Sequence, residues 1–223
     1  MIGIVVAMEK EARHFLIEAD IQKERQIAKK KIYEGSFKNY PFVLIISGIG
    51  KVNAGMATQI LIDNFNLDKV INFGSAGGKD PKTQKVGDVA LIDKVCQYDF
   101  DLSEIDDVNV GYMQDFDLTY FETSYKKYKG NSFVVSTLAS ADKFSTKKET
   151  LDTLIQLGAN VSDMEAGAIA QVAYSNDIDF YILKLLTDVE GGSAESIFTQ
   201  YINNIKEVCS KIPNAVYELL QNI

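Results

Sequence analysis

The sequence predicts one α/β domain built on a central, mostly parallel sheet. Three observations carry this. Short apolar, β-rich runs alternate with helical stretches along the whole chain. The composition is that of an ordinary globular protein, 46% hydrophobic and 24% charged. No repeat, low-complexity segment or linker divides the 223 residues, a length that suits one sizeable core and is short for two.

Residues 2–7 (IGIVVA) form an unbroken apolar run, the pattern of a strand buried on both faces. It breaks at Met8 into EKEARHFL, a helix start with Glu9 and Glu11 in or near the first turn. Residues 29–36 and 41–47 predict antiparallel strands joined by a turn at Lys38 and Asn39. The second strand runs into SGIGKVNAG (47–55) and then a helix, MATQILIDNF. Residues 69–73 predict a short buried strand entering GSAGG (74–78), a second glycine-rich turn, and 86–93 a further strand. Segment 97–116 is irregular, acidic and aromatic; loops of that length are often functional, so a lid or a subunit contact is expected.

A helix is predicted over 119–128 and a strand over 132–138, with Phe144 on the loop that follows. A helix over 147–157 leads to VSDMEAGAIAQVAY (161–174), where Asp163 and Glu165 sit at the mouth of a helix apolar enough to be buried almost all round. Residues 180–186 are the last buried strand, ending in TDVEGG, and 195–220 read as helical with an interruption near Pro213.

The formal net charge of −8 disfavours nucleic-acid binding. Two distant cysteines, Cys96 and Cys209, and a lone His14 argue against a zinc site or a disulfide framework, and no cofactor is expected. The N-terminal apolar run is too short for a membrane span and lacks a basic leader, so a cytoplasmic location without membrane attachment is expected.

Ligand crevices of open α/β sheets lie outside the carboxyl ends of strands. Glu11 and Asp188 both stand there, and Gly48 and Gly50 allow close approach of a ligand to the backbone. The dinucleotide fingerprint fails at Asn53, and the P-loop pattern fails as well. Taken singly, each candidate has an ordinary reading: Asp163 or Ser162 as a helix cap, Glu165 as a first-turn acid, Asp188 as a loop acid, Phe144 as a core aromatic and Ser75 as a turn residue.

Taken together they point elsewhere. AMEKEA, SGIGKVNAG, NFGSAGG, VGDV, QYDFD, SADKF, DMEAGAIAQVA and the final TD, in this order and spacing, resemble the nucleoside phosphorylase/nucleosidase superfamily. The branch they are most similar to is that of the bacterial 5′-methylthioadenosine/S-adenosylhomocysteine nucleosidases. The resemblance implies a single domain over 1–223, a three-layer α/β/α sandwich around a twisted mixed sheet, and hydrolysis of the bond between adenine and a 5′-thio-substituted ribose. It implies that Asp188 is the acid at purine N7 and that Glu11 positions and activates water. Met164 and Glu165 would hold the ribose hydroxyls, Phe144 would stack on the base and Ser145 would read its edge. Ser75 would lie near sugar and water, and Ile49 and Phe198 would line the pocket. A homodimer is implied too, with 97–116 as the candidate contribution to the partner's site.

The residue types suit that chemistry. Adenine leaves only once N7 is protonated, so a carboxyl group with a raised pKa must stand beside it. Ionised carboxylates stabilise the positive charge that develops on the sugar, and a base aimed at water contributes about 10²–10⁴-fold. Rival expectations are a purine nucleoside phosphorylase, another purine nucleosidase, or a non-catalytic nucleoside-binding protein. Asn72, where hexameric phosphorylases carry arginine, and the anion Glu11 both favour water over phosphate. Ser145, Lys184, Thr187 and Asp163 depart from the usual residues of the nucleosidase branch.

Overall fold

The computed structural model describes residues 1–144 and 147–223. Its strands are β1 (Ile2–Val6), β2 (Asp20–Ile27), β3 (Lys30–Phe37), β4 (Tyr40–Ile46), β5 (Lys69–Gly78), β6 (Val89–Gln97), β7 (Phe121–Glu122), β8 (Val134–Ser140), β9 (Val161–Asp163) and β10 (Asp179–Val189). The helices are α1 (Glu9–Glu18), α2 (Lys51–Asn64), α3 (Lys148–Gln156), α4 (Ala166–Ser175), α5 (Ile197–Cys209) and α6 (Ile212–Gln221).

All ten strands join one mixed sheet. Its centre, β4–β1–β5–β10, is parallel throughout, and β3 and β2 extend it antiparallel. Beyond β10 the sheet curls: β6 pairs antiparallel with β10, β8 lies parallel to β6 and β9 parallel to β8, and β9 returns antiparallel to Gly77 and Gly78 of β5. β5 is therefore the axis of the fold, bonded to β1 and then β9 on one edge and to β10 along the other.

Strand alternation sends successive side chains to opposite faces. Ile4, Leu44, Ile71 and Leu183 pack with Phe15 of α1, Val208 of α5 and Ile212 and Leu219 of α6. Val5, Val43, Val70 and Ile182 pack with Ala54, Ala57 and Leu61 of α2 and Ala166, Ile169 and Ala173 of α4. Two helical layers thus sandwich the sheet, and α3 covers the far end through Leu154 against Cys96 and Ala139. Among the described residues, no helix is long and apolar enough to cross a membrane.

Several elements differ from the sequence expectation. GSAGG is no turn but the end of β5, because Gly77 and Gly78 are held in the ladder by both β9 and β10. Residues 119–128 form β7 and a 3₁₀ turn (Ser124–Lys127), not a helix. Phe121 is drawn into the core, and the Thr123 hydroxyl donates to the Ile92 carbonyl at 2.6 Å, which fixes the chain against β6. The polar run DIQKERQI is β2, an edge strand with little apolar pattern to announce it. The helix expected after Asp163 and Glu165 does start at Ala166, but the residues before it form the short strand β9, which was not expected.

Candidate active site

The carboxyl ends of β1, β5, β9 and β10 open onto one cleft enclosing about 730 Å³ of empty space, part of it open solvent. Glu11, Ile49, Ser75, Phe144, Met164, Glu165 and Asp188 all line it, so seven of the residues singled out in the sequence meet there. Ser145 lies outside the described residues. Phe198 is 62% exposed and stands off the cleft. α5 begins at Ile197, and one helical turn places Ile197 and Tyr201 on the same face, so these two line the cleft in its stead.

Glu11 is buried at the start of α1. Its Oε1 accepts from the Ser75 backbone N–H at 2.8 Å and from the Ser75 hydroxyl at 2.7 Å, and its Oε2 accepts from the Met8 N–H at 3.1 Å. A carboxylate oxygen has two acceptor sites, so Oε2 retains one for a further donor. Gly74 is bare for this reason: a Cβ there would lie 3.1 Å from Glu11 Oε1.

Asp188 reaches the cleft through a β-bulge. The register of β10 on β5 shifts between Leu186 and Asp188, which sets Asp188 opposite Gly77; such bulges re-aim side chains beside sites. Asp188 Oδ2 accepts from the Thr187 hydroxyl at 2.8 Å, whereas buried Oδ1 has no hydrogen-bond partner among the described residues. Burial raises its pKa, and Glu190 adds to this; the Thr187 hydroxyl and the Lys79 ammonium pull the other way without reversing it. The neutral acid is thereby favoured, and its free oxygen faces the cleft side of Gly77.

Glu165 precedes α4 and accepts from the Gly50 N–H at 2.9 Å. Gly50 takes φ +97° and Gly48 φ +84°, backbone conformations that side chains resist, so the SGIG turn can present that N–H at the start of α2. Burial, then the Asp163 charge, raises the Glu165 pKa to about 7, against the pull of Lys184 and the Gly50 N–H. Asn53, where a nucleotide motif would need glycine, secures the same turn by donating to the Ile49 carbonyl at 2.7 Å.

Asp163 caps α4 by accepting from the Ala166 N–H at 2.9 Å, and it pairs with Lys184 at 2.8 Å. Lys184 is fully buried. Burial alone would lower its pKa, but Asp163 and Glu165 outweigh that and raise it. Its charge is the counterweight that lets acids gather in the core.

Met8, Lys79, Tyr98 and Lys143 also line the cleft and were not singled out in the sequence. Lys79 was legible from alternation: Ser75, Gly77 and Lys79 share a face. Of segment 97–116, Tyr98 is the residue that reaches the cleft. Among the described residues, no group of three or more His, Cys, Asp or Glu could hold a metal ion.

Four buried carboxylic acids, Glu11, Asp163, Glu165 and Asp188, thus gather around one cleft at strand ends of a mixed sheet held between helical layers. The pattern of the Phosphorylase superfamily matches residues 1–221, and the chain belongs to that family. It is 32% identical to the 5′-methylthioadenosine/S-adenosylhomocysteine nucleosidase of Staphylococcus carnosus, over 100% of both chains. It is 33% identical to the nucleosidase of the same name from Buchnera aphidicola, over 98% of each. The crystal structure of the Neisseria meningitidis nucleosidase with methylthio-immucillin-A superposes with a TM-score of 0.86 at 26% identity, covering 99% of this chain and 98% of that one.

Proposed function

We propose that this protein hydrolyses the N-glycosidic bond of 5′-methylthioadenosine and S-adenosylhomocysteine, releasing adenine and the thioribose. The observation that carries the reading is the convergence of Glu11, Glu165 and Asp188 on one cleft, each with a different hydrogen-bonding state. Asp188, its pKa raised by burial, donates a proton from the open Oδ1 to purine N7, so the base departs without negative charge. Glu11, fixed by Ser75 and Met8, uses the open site on Oε2 to hold a water and accept its proton as it attacks C1′. The oxocarbenium-like sugar between them is stabilised by the nearby carboxylates.

Glu165 and Met164 bind the ribose hydroxyls, Phe144 covers the base together with Tyr201 (ring centroids 6.4 Å apart), and Ile49 and Ile197 border the 5′ substituent. Exchanging the 5′ group for hydrogen leaves this machinery untouched, so 5′-deoxyadenosine falls in the same substrate class. The working unit we propose is a cytoplasmic homodimer, to which 97–116 contributes.

Phosphorolysis is the second reading to exclude. Asn72 is buried and donates to the Val5 carbonyl at 2.9 Å, so it is committed to the sheet, and the anion Glu11 occupies the approach to the sugar. Incubation with 5′-methylthioadenosine in phosphate-free buffer should give free adenine and free methylthioribose. A phosphorylated sugar formed only with added phosphate would overturn hydrolysis.

A further inference from the structure

We infer that Lys79 reads position 6 of the purine, so that the cleft takes 6-oxopurine nucleosides as well as adenine nucleosides. The inference rests on the nucleosidase reading and extends it to the base. Its starting point is register. Gly77 pairs with Ser162 and Gly78 with Val161, and the ladder continues as the Lys79 N–H donates to the Asn160 carbonyl at 2.9 Å. Alternation therefore carries the Lys79 side chain onto the face of Ser75 and Gly77, where it lines the cleft.

Gly77 is the bare patch between two donors. A Cβ built on it would meet Asp188 Oδ1 at 2.8 Å and Lys79 Nζ at 3.4 Å. A flat ring lying on this glycine has the carboxyl group and the ammonium beside the same edge. The ammonium is mostly buried, and burial lowers its pKa while Asp188 and Glu190 oppose that from longer range. Among the described residues, neither acid comes within 4.0 Å of it, and no hydrogen bond holds it.

The purine edge supplies what is missing. N7 and the 6-substituent lie side by side; in a 6-oxopurine both accept, whereas in adenine N7 accepts and the 6-amino group donates. An ammonium only donates. Protonated Asp188 with Lys79 is thus a donor–donor pair that matches a 6-oxopurine, and the bond to O6 is charge-assisted and among the stronger kinds. Against adenine, Lys79 must turn toward Glu190.

The test is steady-state kinetics in phosphate-free buffer with 5′-methylthioadenosine and 5′-methylthioinosine, on the wild type, Lys79→Met and Lys79→Arg. The wild type should release both adenine and hypoxanthine. The kcat/KM ratio of inosine-type to adenosine-type substrate should fall about 10- to 100-fold in Lys79→Met and stay on the wild-type side in Lys79→Arg. A wild type that cleaves the adenosine substrate alone, or an active Lys79→Met with an unmoved ratio, overturns the inference and leaves hydrolysis standing. Cleavage of neither substrate removes both. Should Lys79→Met fail to fold, calorimetry of the free bases on the wild type decides: adenine bound more than about tenfold tighter than hypoxanthine also overturns it.

Discussion

Asp163 and Asp188 flank the same strand, β5, one at the end of β9 and the other near the end of β10, and both are buried. Asp163 is neutralised as well as engaged: it accepts from the Ser140 hydroxyl on one oxygen, and on the other it accepts from the Ala166 N–H and pairs with the buried Lys184. Asp188 accepts from Thr187 on one oxygen and, among the described residues, from nothing on the other. A carboxylate neutralised by a buried cation is part of the scaffold. One with an open oxygen in a cleft is available to a ligand. Burial does not separate Asp163 from Asp188, but the buried cation on one and the open oxygen on the other do.

The strongest way to break that comparison is Asp188→Asn. If Asp188 is the proton donor, turnover should drop by about 10²–10⁴-fold, with substrate binding within about tenfold of the wild type. The melting temperature at neutral pH should not fall, because burial already disfavours the charge that the substitution removes. Near-normal turnover would return Asp188 to the scaffold class.

The opposite signature belongs to Lys184→Met. Removing the buried cation strands Asp163 and Glu165, and breaking a buried pair costs about 3–5 kcal/mol. Urea denaturation should show this loss, and adding Asp163→Asn should recover a good part of it. A single variant as stable as the wild type would mean that Asp163 does not depend on Lys184.

The same contrast explains what the sequence could and could not reveal. The carboxylates were legible because they follow apolar strand runs in a recognisable order: Glu11 after IGIVVA, Asp188 after the run into TD, and Glu165 before AGAIA. The acceptor state of each was not, since Asp188 owes its direction to a bulge opposite Gly77, and Asp163 meets Ser140, 23 residues away, and the buried Lys184. GSAGG misled because glycine usually marks turns. Here Gly74 and Gly77 stay in the strand and their missing Cβ atoms make room for Glu11 and Asp188. β2 and the 119–128 region were lost to weak periodicity, as tertiary pairing overrode local preference.

Glu165 sharpens the comparison through pH. Its pKa in the folded protein is raised to about 7 from 4.5, first by burial and then by the Asp163 charge. The folded state therefore binds this proton more tightly than the unfolded chain does. The stabilisation is fully present below the unfolded value of 4.5 and is lost as pH rises through about 7. Glu165→Gln should flatten the decline of the urea midpoint across that window. A decline as steep as that of the wild type would assign it to Asp188, whose shift has the same sign.

The smallest effect is expected at the rim. Phe198 is 62% exposed and Ile197 7%, although they are neighbours at the start of α5. A step of one residue along a helix turns the side chain to a different face, so Ile197 faces the cleft with Tyr201 and Phe198 does not. Phe198→Ala should change stability by no more than about 0.5 kcal/mol and leave KM for 5′-methylthioadenosine close to the wild type. Ile197→Ala removes buried surface and cleft wall together, and should cost about 2 kcal/mol or more and raise KM. If the two variants exchange these signatures, α5 turns by one residue when substrate binds, and the rim, unlike the carboxylates on the strand ends, is assembled by the ligand.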